Sequence, residues 1–235
     1  MRLTRTLTGT AALGVVICLG LANDASAATD KLPNLTPFKA SGVAIATAAD
    51  GTKQLRFNTT SWNNGTGPLE LRGGTVDTST SKQQVLQRIY QTDGSFREVQ
   101  AGTFEYHPTH NHMHFDDYAV YTLQPVNAPG ASSRTGTKMT FCIMDTDKVN
   151  LKLPGAPKRA VYKTCGSSMQ GMSVGWADTY GSYLDGQSID ITGLPDGDYN
   201  LSIEVDPKGQ IVESNDSDNK STLGIRIVGQ TVTVR

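Results

Sequence analysis

The sequence predicts an all-β fold, a single β-sandwich domain with long structured loops behind a cleavable leader. Three observations predict it. The chain of 235 residues carries 24 Gly and 10 Pro among many Thr and Ser, a composition of turns and short strands rather than long helices. Short runs of strand-forming residues recur between clusters of Gly, Pro, Asn and Asp, at the spacing of a sandwich or barrel. No long helical period and no internal repeat interrupts them.

The elements follow in order. Residues 28–36 read as an extended lead containing Pro33, and residues 43–46 and 54–60 as strands on either side of an Asp50-Gly51 turn. The cluster at residues 63–68 is a turn, and residues 69–72 and 85–91 are strands, the second ended by Asp93-Gly94. Residues 104–123 alternate over a long stretch, and residues 138–144 and 188–191 read as further strands. Four more are expected at residues 199–205, 209–212, 223–228 and 231–234. Residues 145–187 lack periodicity and are expected to form a long structured loop region.

The first 27 residues have the form of a secretory signal peptide. Arg2 and Arg5 precede an apolar run over residues 11–21, which Asn23 and Asp24 end, and Ala25-Ser26-Ala27 fits the cleavage pattern. The run is too short for a comfortable membrane span. The expected product is a secreted domain of residues 28–235 with no membrane segment. Cys18 would leave with the leader, so Cys142 and Cys165 remain as an even pair, which in an exported protein reads as one disulfide. Such a bond would contribute roughly 3 kcal/mol. A net charge of −1 argues against a nucleic-acid partner.

All four His of the chain fall between His107 and His114. Residues two apart on a strand point to one face, so His110, His112 and His114 would present three imidazoles together. That set suits a divalent metal, and imidazole alone does not choose among copper, zinc, iron and nickel. His107 stands outside the alternation, before Pro108, as a further candidate. With no spare Cys nearby, an open site is favoured over a closed structural zinc site.

The string from His107 to His114, with Asp116, Asp117 and Tyr121 after it, resembles the copper motif of the lysyl oxidase family. Lys138-Met139-Thr140-Phe141-Cys142 is similar to the family segment that carries the cofactor lysine. Asp178-Thr179-Tyr180-Gly181 is similar to the one that carries the cofactor tyrosine. Gln170-Gly171-Met172-Ser173, the stretch at residues 187–192 and Glu213-Ser214-Asn215 keep the family's order. The resemblance implies Cu(II) on His110, His112 and His114, and a lysine tyrosylquinone built from Lys138 and Tyr180. It implies oxidative deamination of peptidyl lysine or small primary amines by O2, giving aldehyde, ammonia and hydrogen peroxide. Asp178, two residues from Tyr180, is a candidate base or orienter, with Asp116 and Asp117 as alternatives. The resemblance also suggests a calcium site formed by Asn34, the Leu35 carbonyl, Glu213, Asn215, Asp218 and Asn219, whose oxygens suit that ion. An ordinary Asn/Asp turn would use the same residue types.

The chain departs from the animal members in having far fewer Cys, Thr137 where a His precedes the lysine, and Phe104 and Tyr106 where Trp is usual. These departures bear on groove shape and substrate preference more than on the redox centre. The alternative from another class is a non-catalytic secreted β-sandwich that binds copper or zinc.

Overall fold

The computed structural model describes residues 27–108 and 110–235. The expected leader, with Cys18, lies almost wholly outside the described residues. Among the described residues no helix is long and apolar enough to cross a membrane.

The all-β expectation holds, in three antiparallel sheets around one core. The first sheet runs in the order Met169–Met172, Leu69–Asp77, Lys82–Gln91, Phe96–His107, His112–Phe115, with Asp30–Lys31 added to Lys82–Gln91. The second runs Arg134–Thr135, Ala119–Asn127, Gly197–Val205, Lys220–Val228, Thr231–Val234. The third is built on the long strand Lys53–Asn63, which pairs with Trp176–Tyr180, Ser188–Asp190, Leu35–Pro37 and Ser41–Thr47; Asp147–Lys148 extends it beyond Trp176–Tyr180.

The strand Lys53–Asn63 shows why this sequence folds so. Its burial alternates residue by residue from Leu55 to Asn63, the period of a strand with one face inward. Leu55 and Phe57 enter the hydrophobic core, each burial contributing about 1.5–3 kcal/mol. Further along the same face stand Thr59, Ser61 and Asn63, which are buried but partnered. Ser61 shares a 2.7 Å hydrogen bond with the Tyr118 hydroxyl, and the Asn63 amide donates to the carbonyls of Gly67 and Met172. This polar end is the part of the strand that carries Trp176–Tyr180, in a register that sets Asp178 against Ser61 and Tyr180 against Thr59.

Two expected strands are corrected. Residues 138–144 form no ladder beyond a single bridge between Phe141 and Phe115. Side chains take the amides a neighbouring strand would have used: Cys142 N–H donates to the Tyr180 hydroxyl and Ile143 N–H to Gln170 Oε1. Residues 209–212 likewise form a turn. Gly209 sits at φ 61°, the Asp206 carboxylate accepts from the amides of Gln210 and Ile211, and Gln87 Oε1 accepts from Val212. A backbone whose donors are already satisfied by side chains has no need of a ladder. The alternating stretch at residues 104–123 divides among three strands, and residues 145–187 contain three short strands rather than loop alone.

Candidate metal centre

The histidines converge from a hairpin. Phe96–His107 pairs with His112–Phe115, setting His107 opposite His112 and Glu105 opposite His114. The hairpin is anchored from the core by Phe104 and Phe115, whose rings meet edge to face at 6.2 Å. His112 and His114 share a strand face as their spacing predicts, but His110 does not lie on the strand. It occupies the preceding turn, closed by the His110 amide donating to the His107 carbonyl and by Asn111 at φ 55°. The turn bends His110 back over the same point.

His114 Nε2 lies 2.9 Å from His112 Nε2 and 3.4 Å from His110 Nδ1. His114 Nδ1 lies 3.0 Å from Thr140 Oγ1, which orients the ring. Ligand nitrogens of His107, His110 and His114 fall within 4.8 Å of one another, and the His107 ring stacks on that of His110 at 4.3 Å. Burial, and then the positive charges nearby, hold His110 and His112 below the usual imidazole range and push His114 down to about 3. Both effects favour the neutral form of the rings. His114 Nε2 and the neighbouring nitrogens of His112 and His110 converge on a common point. That donor set fits a divalent transition metal, and His114 oriented by Thr140 is the arrangement metal-bound imidazole favours.

A cavity of about 450 Å3 opens beside this cluster, lined by His110, His112, His114, Lys138, Asp178 and Tyr180 among others. Lys138 Nζ lies 5.3 Å from the centre of the Tyr180 ring and 5.1 Å from that of Phe141. Phe141 and Tyr180 meet edge to face at 4.8 Å, so the amine and the phenol pack on one shared aromatic wall. Lys138 is only 8% exposed, and burial lowers its pKa, bringing the neutral, nucleophilic amine within reach. The Tyr180 hydroxyl donates to the Cys142 carbonyl and accepts from the Cys142 amide, each at 2.7 Å. Burial, with Asp178 adding to it, holds this phenol well above its usual range.

Asp178 shares the cavity with Tyr180, as their two-residue spacing predicts. It is buried, its Oδ2 has no hydrogen-bond partner, and burial raises its carboxyl well above the usual range. The two alternatives are engaged elsewhere. Asp116 is held by Lys82 at 2.6 Å and Thr103 at 2.8 Å, and Asp117 by Lys208 at 2.7 Å.

Cys142 and Cys165 form the expected disulfide. One half-cystine holds Tyr180 through its backbone; the other accepts, at its carbonyl, the amide of Met113 between His112 and His114 at 3.0 Å. The bond thus ties the tyrosine's support to the histidine strand.

The residues that sequence reasoning missed are Thr140, Phe141 as the shared wall, and the loop residues Tyr183 and Leu184 that complete the cavity. Thr140 lies two residues after Lys138, and its position inside the lysine segment was the one available signal.

Three imidazoles, a lysine and a tyrosine around one cavity match the order of motifs read from the sequence. The family model for lysyl oxidase matches residues 83–235. The chain belongs to the lysyl oxidase family. Among curated proteins it is 35% identical over 133 residues to lysyl oxidase homolog 1 of Homo sapiens, covering 55% of this chain and 21% of that protein. It is 34% identical over 128 residues to protein-lysine 6-oxidase of Homo sapiens, covering 54% and 29%, and 33% identical over 128 residues to that of Sus scrofa, covering 54% and 48%. The chain therefore spans between about a fifth and a half of the length of these lysyl oxidase relatives.

A second group of the expected residues gathers elsewhere on this lysyl oxidase fold. Asn34 Nδ2 donates to Asp218 Oδ2 at 3.0 Å, and Asn219 Nδ2 to Glu213 Oε1 at 2.8 Å. Leu35 meets the cluster through its amide, 2.5 Å from Glu213 Oε2. Asn215 instead caps the short 3-10 turn Asp216–Asp218, accepting from Ser217. Three buried oxygens here, Asn34 Oδ1, Asp218 Oδ1 and Asn219 Oδ1, have no hydrogen-bond partner. Burial pushes Glu213 up to about 8. Orphaned buried oxygens beside a buried carboxyl are a donor set that fits a hard cation.

Proposed function

We propose that this chain is a secreted, copper-dependent amine oxidase that deaminates primary amines, peptidyl lysine or smaller, to aldehydes with release of ammonia and hydrogen peroxide. The observation that carries the reading is Lys138 Nζ at 5.3 Å from the Tyr180 ring, in the cavity that His110, His112 and His114 also line. A non-catalytic metal binder has no need of a buried lysine facing a tyrosine.

His110, His112 and His114 would hold copper, with His107 stacked behind His110. Bound copper would supply the dioxygen and one-electron chemistry by which the tyrosine ring becomes a lysine tyrosylquinone, whose carbonyl is the electrophile for a primary amine. This chain's residues do the rest. Cys142 holds the Tyr180 oxygen from both sides, so the ring keeps its place while it is modified. Lys138, desolvated and aligned along Phe141, offers its neutral amine to the Tyr180 ring. Asp178, which lines the same cavity and has one carboxylate oxygen without a hydrogen-bond partner, is the candidate to take the α-proton of the bound substrate; burial that raises its pKa makes its carboxylate the stronger base.

The second cluster, with Asn34, Glu213, Asp218 and Asn219, is read as a calcium site that ties the lead segment to the C-terminal turn. Residues 1–27 are read as the leader and 28–235 as the exported catalytic domain, in keeping with the disulfide.

Aerobic copper loading tests the reading. A phenylhydrazine-reactive chromophore should appear, and mass spectrometry should find the Lys138 and Tyr180 peptides joined. Copper uptake with the two peptides running separately would leave the non-catalytic metal binder in its place.

A further inference from the structure

Residues 181–186, directly after Tyr180, form a short loop pinned from the central strand. Arg56 donates through Nε to the Ser182 carbonyl at 2.6 Å and through Nη2 to the Leu184 carbonyl at 2.7 Å. Asn58 Oδ1 accepts from the Ser182 amide at 2.7 Å, and the Leu184 amide donates to the Gly181 carbonyl at 3.0 Å. So secured, the loop still presents Tyr183 with 82% of its surface exposed, the most exposed large apolar residue among those described. The ring is not adrift: it lies over Gly181, where a Cβ would come within 2.3 Å of Tyr183 Cε1. A rigid loop holding an aromatic ring in solvent at the rim of a cavity has the form of a contact surface.

Two chambers meet under this loop. Tyr183 and Leu184 line the one that contains Tyr180, of about 450 Å3. Asp185 and Gly186 line a second, of about 260 Å3. His110 and Lys138 are common to both, forming the wall between them. Gly186 lets the loop come this close, since a Cβ there would lie 3.1 Å from Lys138 Cβ. Asp185 is exposed and, unlike Asp116, Asp117 and Asp198, enters none of the ion pairs among the described residues. Its charge is felt at Lys138 and favours that residue's charged form.

We infer that this loop selects substrates bearing two cationic groups: the reacting amine enters the Tyr180 chamber, Asp185 receives the second cation in the neighbouring chamber, and Tyr183 packs the chain that joins them. The acid is not placed for the reacting amine, because the His110–Lys138 wall separates its chamber from Asp178 and Tyr180. It is placed for a charge carried a few bonds away, as on a linear diamine or on a basic residue beside a peptidyl lysine. Cationic substrate is also drawn toward the opening by the unpaired carboxylate.

The inference rests on the amine-oxidase reading, and a matched pair of probes tests both. Copper-loaded full chain is assayed with 1,5-diaminopentane and with 1-aminopentane, which differ in the second ammonium alone. Wild type should favour the diamine in KM. Asp185→Asn should raise the diamine KM about fivefold, the scale of one solvent-exposed charge contact, with the 1-aminopentane KM and the turnover per phenylhydrazine-titrated quinone held. Asp185→Glu should restore the preference, and Tyr183→Ala should raise KM for both amines. Binding of the same two amines to metal-free wild type and Asp185→Asn, followed by saturation-transfer NMR, gives a readout independent of turnover. Turnover with equal KM values, or a preference that survives Asp185→Asn, overturns the role of Asp185 and leaves the oxidase standing. Preferential diamine binding lost in Asp185→Asn, with no turnover of either amine, overturns the oxidase and leaves a dication-binding loop.

Discussion

The nitrogen site and the oxygen cluster are built from opposite materials. At the first, neutral imidazoles, a desolvated lysine and a buried phenol border an open cavity. At the second, carboxylate and amide oxygens close on one another where the lead segment meets the turn Asp216–Asp218, with Asn34 bonded to Asp218 and Leu35 to Glu213. The difference teaches what each can do. Imidazole nitrogens beside a cavity suit a redox metal that must meet O2 and substrate. Hard oxygens locked between distant segments suit an ion that holds the fold. Chemistry should therefore follow the first site and stability the second.

The largest break should come from His114→Ala. Metal analysis after copper loading should find no stoichiometric copper, and the cross-linked peptide should be absent. Next is Asp178→Asn, which should leave copper and the cross-link in place and lower amine turnover by about 10²–10⁴-fold, the usual range for a general base. Stopped-flow reduction under substrate would locate the loss at proton removal. Thr140→Val removes the partner of His114 Nδ1 and should weaken copper binding by about 10–100-fold, measured by competition with a chelator. The smallest effect belongs to the oxygen cluster. Calcium at 100 times its Kd should stabilise wild type by about 2.7 kcal/mol in a denaturant melt, and Asp218→Asn should lose most of that gain while keeping copper and the cross-link. A copper-loaded Asp218→Asn protein without the cross-link would collapse the distinction between the two sites.

The strands that do the supporting were legible because their patterns are local. The strand Lys53–Asn63 alternates along its whole inner face, and Gly197–Val205 carries Leu201, Ile203 and Val205 inward between two partners. Residues 138–144 look equally strand-like, yet they run without a ladder because the Tyr180 hydroxyl and the Gln170 side chain reached their amides first. Those two acceptors lie 38 and 27 residues away in the chain, so no local pattern announces them. His110 failed the strand pattern for a similar reason: the hairpin that gathers the histidines needs a turn, and the turn falls on His110 and Asn111.

Residue types and their order, read from the sequence, determined the all-β class, the histidine window, the cysteine pair and the family. These are properties of periodicity and motif, which the chain carries locally. The tertiary structure decided the rest. It set Lys138 beside Tyr180 on the Phe141 ring, brought Asp178 to the same cavity while Lys82 and Lys208 hold Asp116 and Asp117, and placed Asp185 behind the His110–Lys138 wall. Distances across a cavity depend on which sheets share a core and which side chains satisfy which amides, and those choices are made only when the whole chain has packed.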